Sequence, residues 1–556
     1  MLTPEFLLNR SLAAIAVVLM CTGGMHAQSM EAMELQENRP IGTWTDYLPY
    51  HQTEELVHCG TPLDTGFWAV RTEHAVFTLD ERTNVVERIS TVRGMSGSQP
   101  TALAWDPTGE LLIVGQASGS IDFFSNTGDW LYTLRDIEQS NLIGDKSILS
   151  LAIFDALDAD LLVATTAFGV VAIHLRELDV RDTWYLEGQQ ALRRCHGITV
   201  HEENYVIWTD AGVFEAPVDH PFLSSPDAWS RWEDIPLETG DYAHVEFTPT
   251  DHILLHRKTG EASAPDELWL RRDGLWEPFE ASESVQVLAI AAGSISSDPS
   301  DWRIAIADHQ SIRQFNADWE ETQLDYAADG VPLRVRDMVY RHAVDVMGNV
   351  GFVEFGDLFI ANFEQGLLKM DVSGGEADAH WSPEGPPVAL VRNVDAWNDQ
   401  IWVASGGIDE TWTSMYHKHG FYGMTGMRWN WIPNQEGQND LAGINDPMAV
   451  SIDPTNPSHA YFGSWEEGLI EVENDEVVAI FNEGNSTLEL GNFGGSPRVG
   501  VGGVDFDRFG NVWFTNAYSE SPLHVRLNDG SFVAMALGNA LGTTGWLGDV
   551  LAARNG

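Results

Sequence analysis

The sequence predicts an all-β protein of two consecutive β-propellers built from four-stranded blades, and three observations carry that prediction. Amphipathic helical patterning is almost absent from the 556 residues. Short alternating strands recur instead, separated by turns rich in Asp, Gly, Pro or Asn. The recurrence also has a period. The stretches "ALAWDPTGELLIVGQASGSIDFF" (102–124), "AVSIDPTNPSHAYFGSWEEGLIEV" (449–472) and "VGGVDFDRFGNVWFTNAYSESPLHV" (501–525) each read strand, Asp-centred turn, strand, small-residue turn, strand.

Fainter copies occupy 151–175, 197–216 and 390–407. Units begin near 63, 100, 148, 197, 243, 286, 336, 388, 447 and 499, a spacing of about 40–60 residues that belongs to propeller blades. A blade cannot bury both faces alone, so it stacks on its neighbours. Ten or eleven units exceed the usual roughly four to eight blades of one ring, which implies two rings. The turn-rich stretch "DYAADGVP" (325–332) places the division at 330. A first propeller is expected over 41–330 and a second over 331–556, incomplete because "GWLGDVLAARNG" reads as a new blade with no return strand.

Residues 1–27 read as an export signal. Arg10 precedes the apolar run Leu12–Met20, which is too short to span a bilayer, and Ala27 offers a small residue for cleavage. Met20 is too bulky for a good lipobox before Cys21. Residues 28–40 form a linker, and no later run is long and apolar enough to span a membrane. Setting aside the leader's single Glu and Arg leaves 82 acids against 29 bases, a net charge of −53. Such a surface disfavours nucleic acid, whose backbone needs clustered Lys and Arg. Cys59 and Cys195 are the cysteines left after the leader; two in a chain this long are not a disulfide scaffold, and they either pair or stay as buried thiols.

Asp505, Asp507 and Asn511 with Gly510 have the spacing of oxygen donors in a calcium loop. The same turn recurs at Asp106–Gly109 and Asp453–Asn456, so it is read as a structural turn whose carboxylate caps backbone N–H groups. No G-x-S-x-G, H-E-x-x-H, C-x-x-C or Walker-type loop occurs, so no enzyme is expected, and neither a cofactor nor a metal site is assigned.

The loop "SMYHKHGFYGMTGMRWNWIP" (414–433) has the most unusual local composition. Tyr416, Phe421, Tyr422, Trp429 and Trp431 offer stacking faces, and His417, Lys418, His419 and Arg428 form a cationic island in an acidic chain. Tyr416, His417, Lys418, His419, Arg428, Trp429 and Trp431 are therefore the candidate ligand residues, suited to a sugar and its charged groups. The alternative is a long hairpin that packs its aromatics against the ring. "LRVRDMVYRH" (333–342) gathers Arg334, Arg336, Arg341 and His342, which are expected to pair with nearby acids.

The N-terminal third carries more than a generic repeat. "IGTWTDYLPY" (41–50), "GSIDFF" (119–124), "DI" (136–137), "GDKSI" (144–148), "FGVVAIHLRELDVRDTWYL" (168–186) and "GVFEAP" (212–217) occur in this order. In that order they resemble the PorZ family, two-propeller surface proteins of the attachment complex in the Bacteroidetes type IX secretion system. The resemblance implies a non-enzymatic, exported protein at the outer-membrane surface, with the periplasm as the alternative. It implies a C-terminal sorting domain, of which this sequence shows no sign. It also implies partnership with a sortase and an outer-membrane shuttle, and presentation of anionic lipopolysaccharide to that sortase. The competing reading is an extracellular sensor or solute-binding propeller of a carbohydrate-responsive two-component system.

Overall fold

The computed structural model describes residues 44–553 except 61–65, 155–160, 190, 237–238, 261–263, 280–285, 295–300, 327–333, 342–356, 372–378, 435–443, 494 and 542–546. The stretches read as leader and linker, most of the stretch 325–332 and His342 lie outside the described residues. Within them are ten four-stranded antiparallel sheets, each drawn from one continuous stretch of chain. Numbered in chain order, blades 1 to 10 cover 53–89, 100–134, 148–184, 195–231, 241–278, 287–326, 335–381, 393–432, 447–481 and 504–535.

The burial of each strand follows from its place in a stack. Second strands lie between two neighbouring blades and are buried on both faces, as in Leu161–Thr166, where all six residues are buried. Outer strands meet water, as in Trp130–Leu134, whose first three residues are exposed. Burial therefore falls from the centre of each blade to its outer rim.

Two local devices repeat from blade to blade. The first is a bulge near the start of the innermost strand, at its second residue in blades 1–4, 6, 7 and 9 and at its third in blade 5. The second closes the turn between second and third strands with a side-chain oxygen. Thr166 and Thr209 donate to the carbonyls of Gly169 and Gly212 (both 2.9 Å) and accept the N–H groups of Phe168 and Ala211. Gly169 is required there, because its φ is +144° and a Cβ would sit 2.5 Å from the Trp184 carbonyl oxygen.

The described chain divides into two compact units. The first, residues 48–385, contains blades 1 to 7. A buried apolar core fills each interface between successive blades, and a further one joins blade 7 to blade 1. The ring thus closes by face packing, without strand exchange. Trp68 stacks on Phe359 at 4.0 Å between centroids. The Thr53 hydroxyl lies 2.9 Å from the Asn362 carbonyl oxygen and 3.0 Å from that of Gly366, and the Leu56 N–H donates to Asp337 (3.0 Å). Arg341 pairs with Glu81 and Asp357, and Lys369 lies 3.1 Å from Asp357.

The compact units part at 385, not at the expected 330. Blade 7 presents Leu358, Ile360 and Met370 to blade 6 and Phe359, Ala361 and Leu367 to blade 1, so both its faces are used within the first unit. The arginines read at a ring junction lie on this blade. Arg334 pairs with Glu364 (2.8 Å), Arg341 with Glu81 and Asp357, and Arg336 lies over the Phe363 ring. Tyr50 is buried in the core that closes the ring. Cys59 and Cys195 are buried free thiols in blades 1 and 4.

The second unit holds blades 8 to 10 and a small two-stranded hairpin, 491–498. Buried cores join blade 8 to 9 and blade 9 to 10. The turn at Asp507 is structural. Its Oδ1 accepts the N–H groups of Phe509 (2.8 Å) and Asn511 (3.0 Å), and its Oδ2 accepts from the Asn511 amide and the Trp513 indole. Asp505 accepts the Ala552 N–H instead (2.6 Å), so the two carboxylates do not converge.

Candidate functional site

The unusual loop owes its shape to an insertion in blade 8. In blade 3 only two residues separate the second and third strands, whereas in blade 8 the connection runs from 405 to 420. A connection of that length needs internal tethers, and one carboxylate supplies most of them. Asp446 is fully buried with φ +45°. It accepts the N–H groups of Gly407 (3.0 Å), Tyr416 (2.8 Å) and His417 (3.0 Å), and the Ser414 hydroxyl. Its own N–H donates to the His417 carbonyl and its carbonyl accepts from the Trp465 N–H. Charge-assisted bonds to backbone N–H groups are the strong kind, so Asp446 fixes the loop's fold.

With its backbone held inward, the loop turns side chains outward. Tyr416 and Trp431 are each half exposed, and Met415 and Trp412 are exposed beside them in sequence. Trp412 and Tyr416 adopt φ of +64° and +59°, a strained conformation for bulky residues that the tethers impose. The Trp431 indole donates to the His419 carbonyl (2.7 Å). Below Tyr416 lies Arg498, 3.1 Å from its hydroxyl and 5.6 Å from its ring centre, and also paired with Glu466.

The structure brings together only part of the predicted set. Tyr416, His417, Lys418, His419 and Trp431 share the loop and the adjoining strand end. Arg428 pairs with Thr425 at the far end of the hairpin, three residues from Trp431, which is about 10 Å along a strand. Alternation sends Arg428 to the face opposite Trp429 and Trp431. Trp429 is an internal packing residue, edge-on to Tyr47 at 5.7 Å and tilted against Tyr422 at 6.1 Å. Tyr47 belongs to this packing and to the second unit.

The cationic island is consequently smaller than its sequence. His417 Nδ1 faces Asp446 at 3.8 Å. Burial, then the neighbouring His417, holds His419 below the usual imidazole range. The rings of His417 and His419 are 5.9 Å apart in an irregular loop. Among the described residues of the loop, Lys418 remains as the exposed cation beside the aromatics. A cavity of about 380 Å³ nearby is lined by Glu466, Glu467, Glu483 and Arg498, and burial raises the Glu467 carboxyl above its ordinary range. What this surface offers is aromatic stacking area with hydrogen-bonding edges and one cation.

Sequence reading missed Asp446, because "NDP" (445–447) signals only a turn. It also missed Trp412, which lies just before the stretch singled out.

Residues 69–230, from the second strand of blade 1 to the end of blade 4, match the family model of the PorZ N-terminal β-propeller domain of type IX secretion. The chain is PorZ-like. The solved PorZ of Porphyromonas gingivalis, described as an essential bacterial surface component of the type IX secretion system, superposes with a TM-score of 0.70 at 17% identity. That superposition covers 90% of the PorZ-like chain and 61% of the other, so the chain spans about three-fifths of that protein's length. An ancestral GH74 enzyme superposes with a TM-score of 0.50 at 11% identity over 89% of this chain and 78% of that one, a likeness of fold alone. The extracellular domain of a hybrid two-component system of B. thetaiotaomicron reaches only 0.28 at 11% identity, over 91% and 66% of the two chains, and carries no argument. No curated protein matches the PorZ-like chain. Among its described residues no helix is long and apolar enough to cross a membrane.

Proposed function

We propose that this chain is a non-catalytic binding and scaffold component of a type IX secretion attachment complex, exported to the outer-membrane surface. Its partners on this reading are the system's sortase and outer-membrane shuttle, and its ligand is anionic lipopolysaccharide. The observation that carries the reading is the match of residues 69–230 to the PorZ N-terminal propeller. Three acids near the candidate loop are committed to structure, which supports a binding role over hydrolysis. Asp446 is consumed by four donors, Glu466 by Arg498, and Glu467 by Asn445 and Ser464.

A chain of charge −53 opposes an anionic ligand, so contact depends on short-range chemistry. Tyr416 and Trp431 supply stacking faces for sugar rings, and Lys418 meets a charged substituent. The Tyr416→Ala, Lys418→Ala, Trp431→Ala triple variant should bind the source organism's lipopolysaccharide at least about tenfold more weakly than wild type, as loss of two stacking contacts and one charge-assisted bond requires. Arg428→Ala should bind as wild type does. Salt screens the chain's repulsion of an anionic ligand as well as the single Lys418 contact, so affinity should not fall as sodium chloride is added. Surface plasmon resonance on immobilised lipopolysaccharide measures all three. Undiminished binding by the triple variant removes the loop from the site.

A further inference from the structure

The outer hairpin of blade 3 joins Gly169–His174 to Asp179–Trp184, and its register sets His174 directly opposite Asp179. The Leu178 N–H donates to the His174 carbonyl (2.9 Å) and fixes the turn between them. On this frame two carboxylates converge on one imidazole nitrogen. His174 Nδ1 lies 2.9 Å from Asp179 Oδ1 and 3.3 Å from Glu177 Oε2, and all three atoms are within 4.8 Å of one another.

A single ring N–H can make one linear hydrogen bond, so one proton serves only one of these two acids. His459 shows the ordinary arrangement, with Asp453 on Nδ1 (3.1 Å) and Glu471 on Nε2 (2.9 Å), one acid to each nitrogen. A divalent ion, unlike a proton, satisfies a nitrogen and two carboxylates at one point. Metal–ligand bonds of about 2.0 Å in a tetrahedron place neighbouring ligand atoms about 3.3 Å apart, close to the separations from His174 Nδ1.

We propose that His174, Glu177 and Asp179 form a binding site for a divalent transition-metal ion of the zinc class. One imidazole with two carboxylates suits that class, whereas magnesium and calcium favour all-oxygen shells. The side chains of Glu177 and Asp179 are 70% and 63% exposed, so water completes the coordination. The excess of 83 acids over 30 bases raises the cation concentration at the surface. The site lies in the first unit and does not depend on the function proposed above.

Isothermal titration of the full chain with zinc chloride, in excess magnesium to occupy diffuse acidic sites, tests it. Wild type should take up one equivalent that His174→Ala and Glu177→Gln both lose or bind roughly tenfold or more weakly. Cobalt(II) should give visible absorption bands in wild type that both variants lack. Glu177 is too exposed for its replacement to unfold the blade, and circular dichroism without metal checks His174→Ala. If either variant matches wild type in stoichiometry and affinity, the three-ligand site is refuted.

Discussion

Asp337, on the innermost strand of blade 7, accepts the N–H groups of Leu56 on blade 1 (3.0 Å) and of Met338 (2.8 Å). Glu55 repeats the device one blade on, accepting the Leu103 N–H (3.2 Å) while its other oxygen meets Arg71 (2.8 Å). Innermost strands have an edge with no further strand to pair, and these carboxylates satisfy it. Burial, then the nearby Glu55 carboxylate, pushes Asp337 up to about 7. Between its ordinary value of 3.8 and about 7 the folded state holds a proton that the unfolded state releases. This group's contribution to stability therefore falls as pH rises through that window. Asp337→Asn keeps an acceptor for Leu56 without the charge. It should be more stable than wild type at pH 8 by about 2 kcal/mol, a discounted share of the linkage because the side chain retains some water. At pH 4 the gain should vanish. Urea melts at the two pH values measure it, and an equal gain at both contradicts the assignment. None of this was legible in the sequence, where Asp337 is one acid among 83. By contrast, the loop at 416–431 stood out because aromatic and basic residues are locally dense. Its anchor, Asp446, is distant in sequence and could be found only in the fold.

The repeating turn carries the next test. Thr209 is fully buried and bridges Gly212 and Ala211 through its hydroxyl. Thr209→Val preserves shape but leaves the Ala211 N–H without that acceptor, so it should cost about 1–3 kcal/mol. Chemical denaturation should show a lower midpoint with an unchanged slope. An unchanged midpoint would mean water replaces the hydroxyl. Such turns made blades legible, because Asp, Thr and Gly act on their own neighbours and leave a local mark. The expected starts at 100, 148 and 447 coincide with innermost strands at Pro100, Ile148 and Pro447. The expected start at 63 missed Thr53–Cys59, since "TEELVHC" carries Glu54 and Glu55 for Arg71 and does not alternate like a half-buried strand. The division near 330 failed for another reason. Blade 7's membership is settled by which faces its apolar residues meet, and a turn-rich linker says nothing of that.

Across the whole molecule the dominant fact is charge, with 83 acids against 30 bases. Self-repulsion among exposed acids opposes the folded state and is relieved by salt, as the Debye length falls from about 30 Å at 0.01 M to about 3 Å at 1 M. Thermal stability should therefore rise with sodium chloride over that range. The cluster that closes the seven-bladed ring behaves differently. Arg341 and Lys369 sit between Glu81 and Asp357, all four side chains between 15% and 24% exposed. Arg341 also lies over the Phe359 ring, 5.3 Å from its centre, where Phe359 stacks on Trp68. Such partly buried charges are screened far less than exposed ones. Arg341→Met should leave two carboxylates sharing one lysine and destabilise the first unit by about 3 kcal/mol. Because the loss is not a surface effect, the deficit relative to wild type should persist at 1 M salt while both proteins become more stable. Calorimetric scans of wild type and variant at the two ionic strengths separate these contributions. A deficit that disappears at high salt would show that the clasp acts only through screened surface charge, leaving ring closure to the Trp68–Phe359 stack and the apolar core around it.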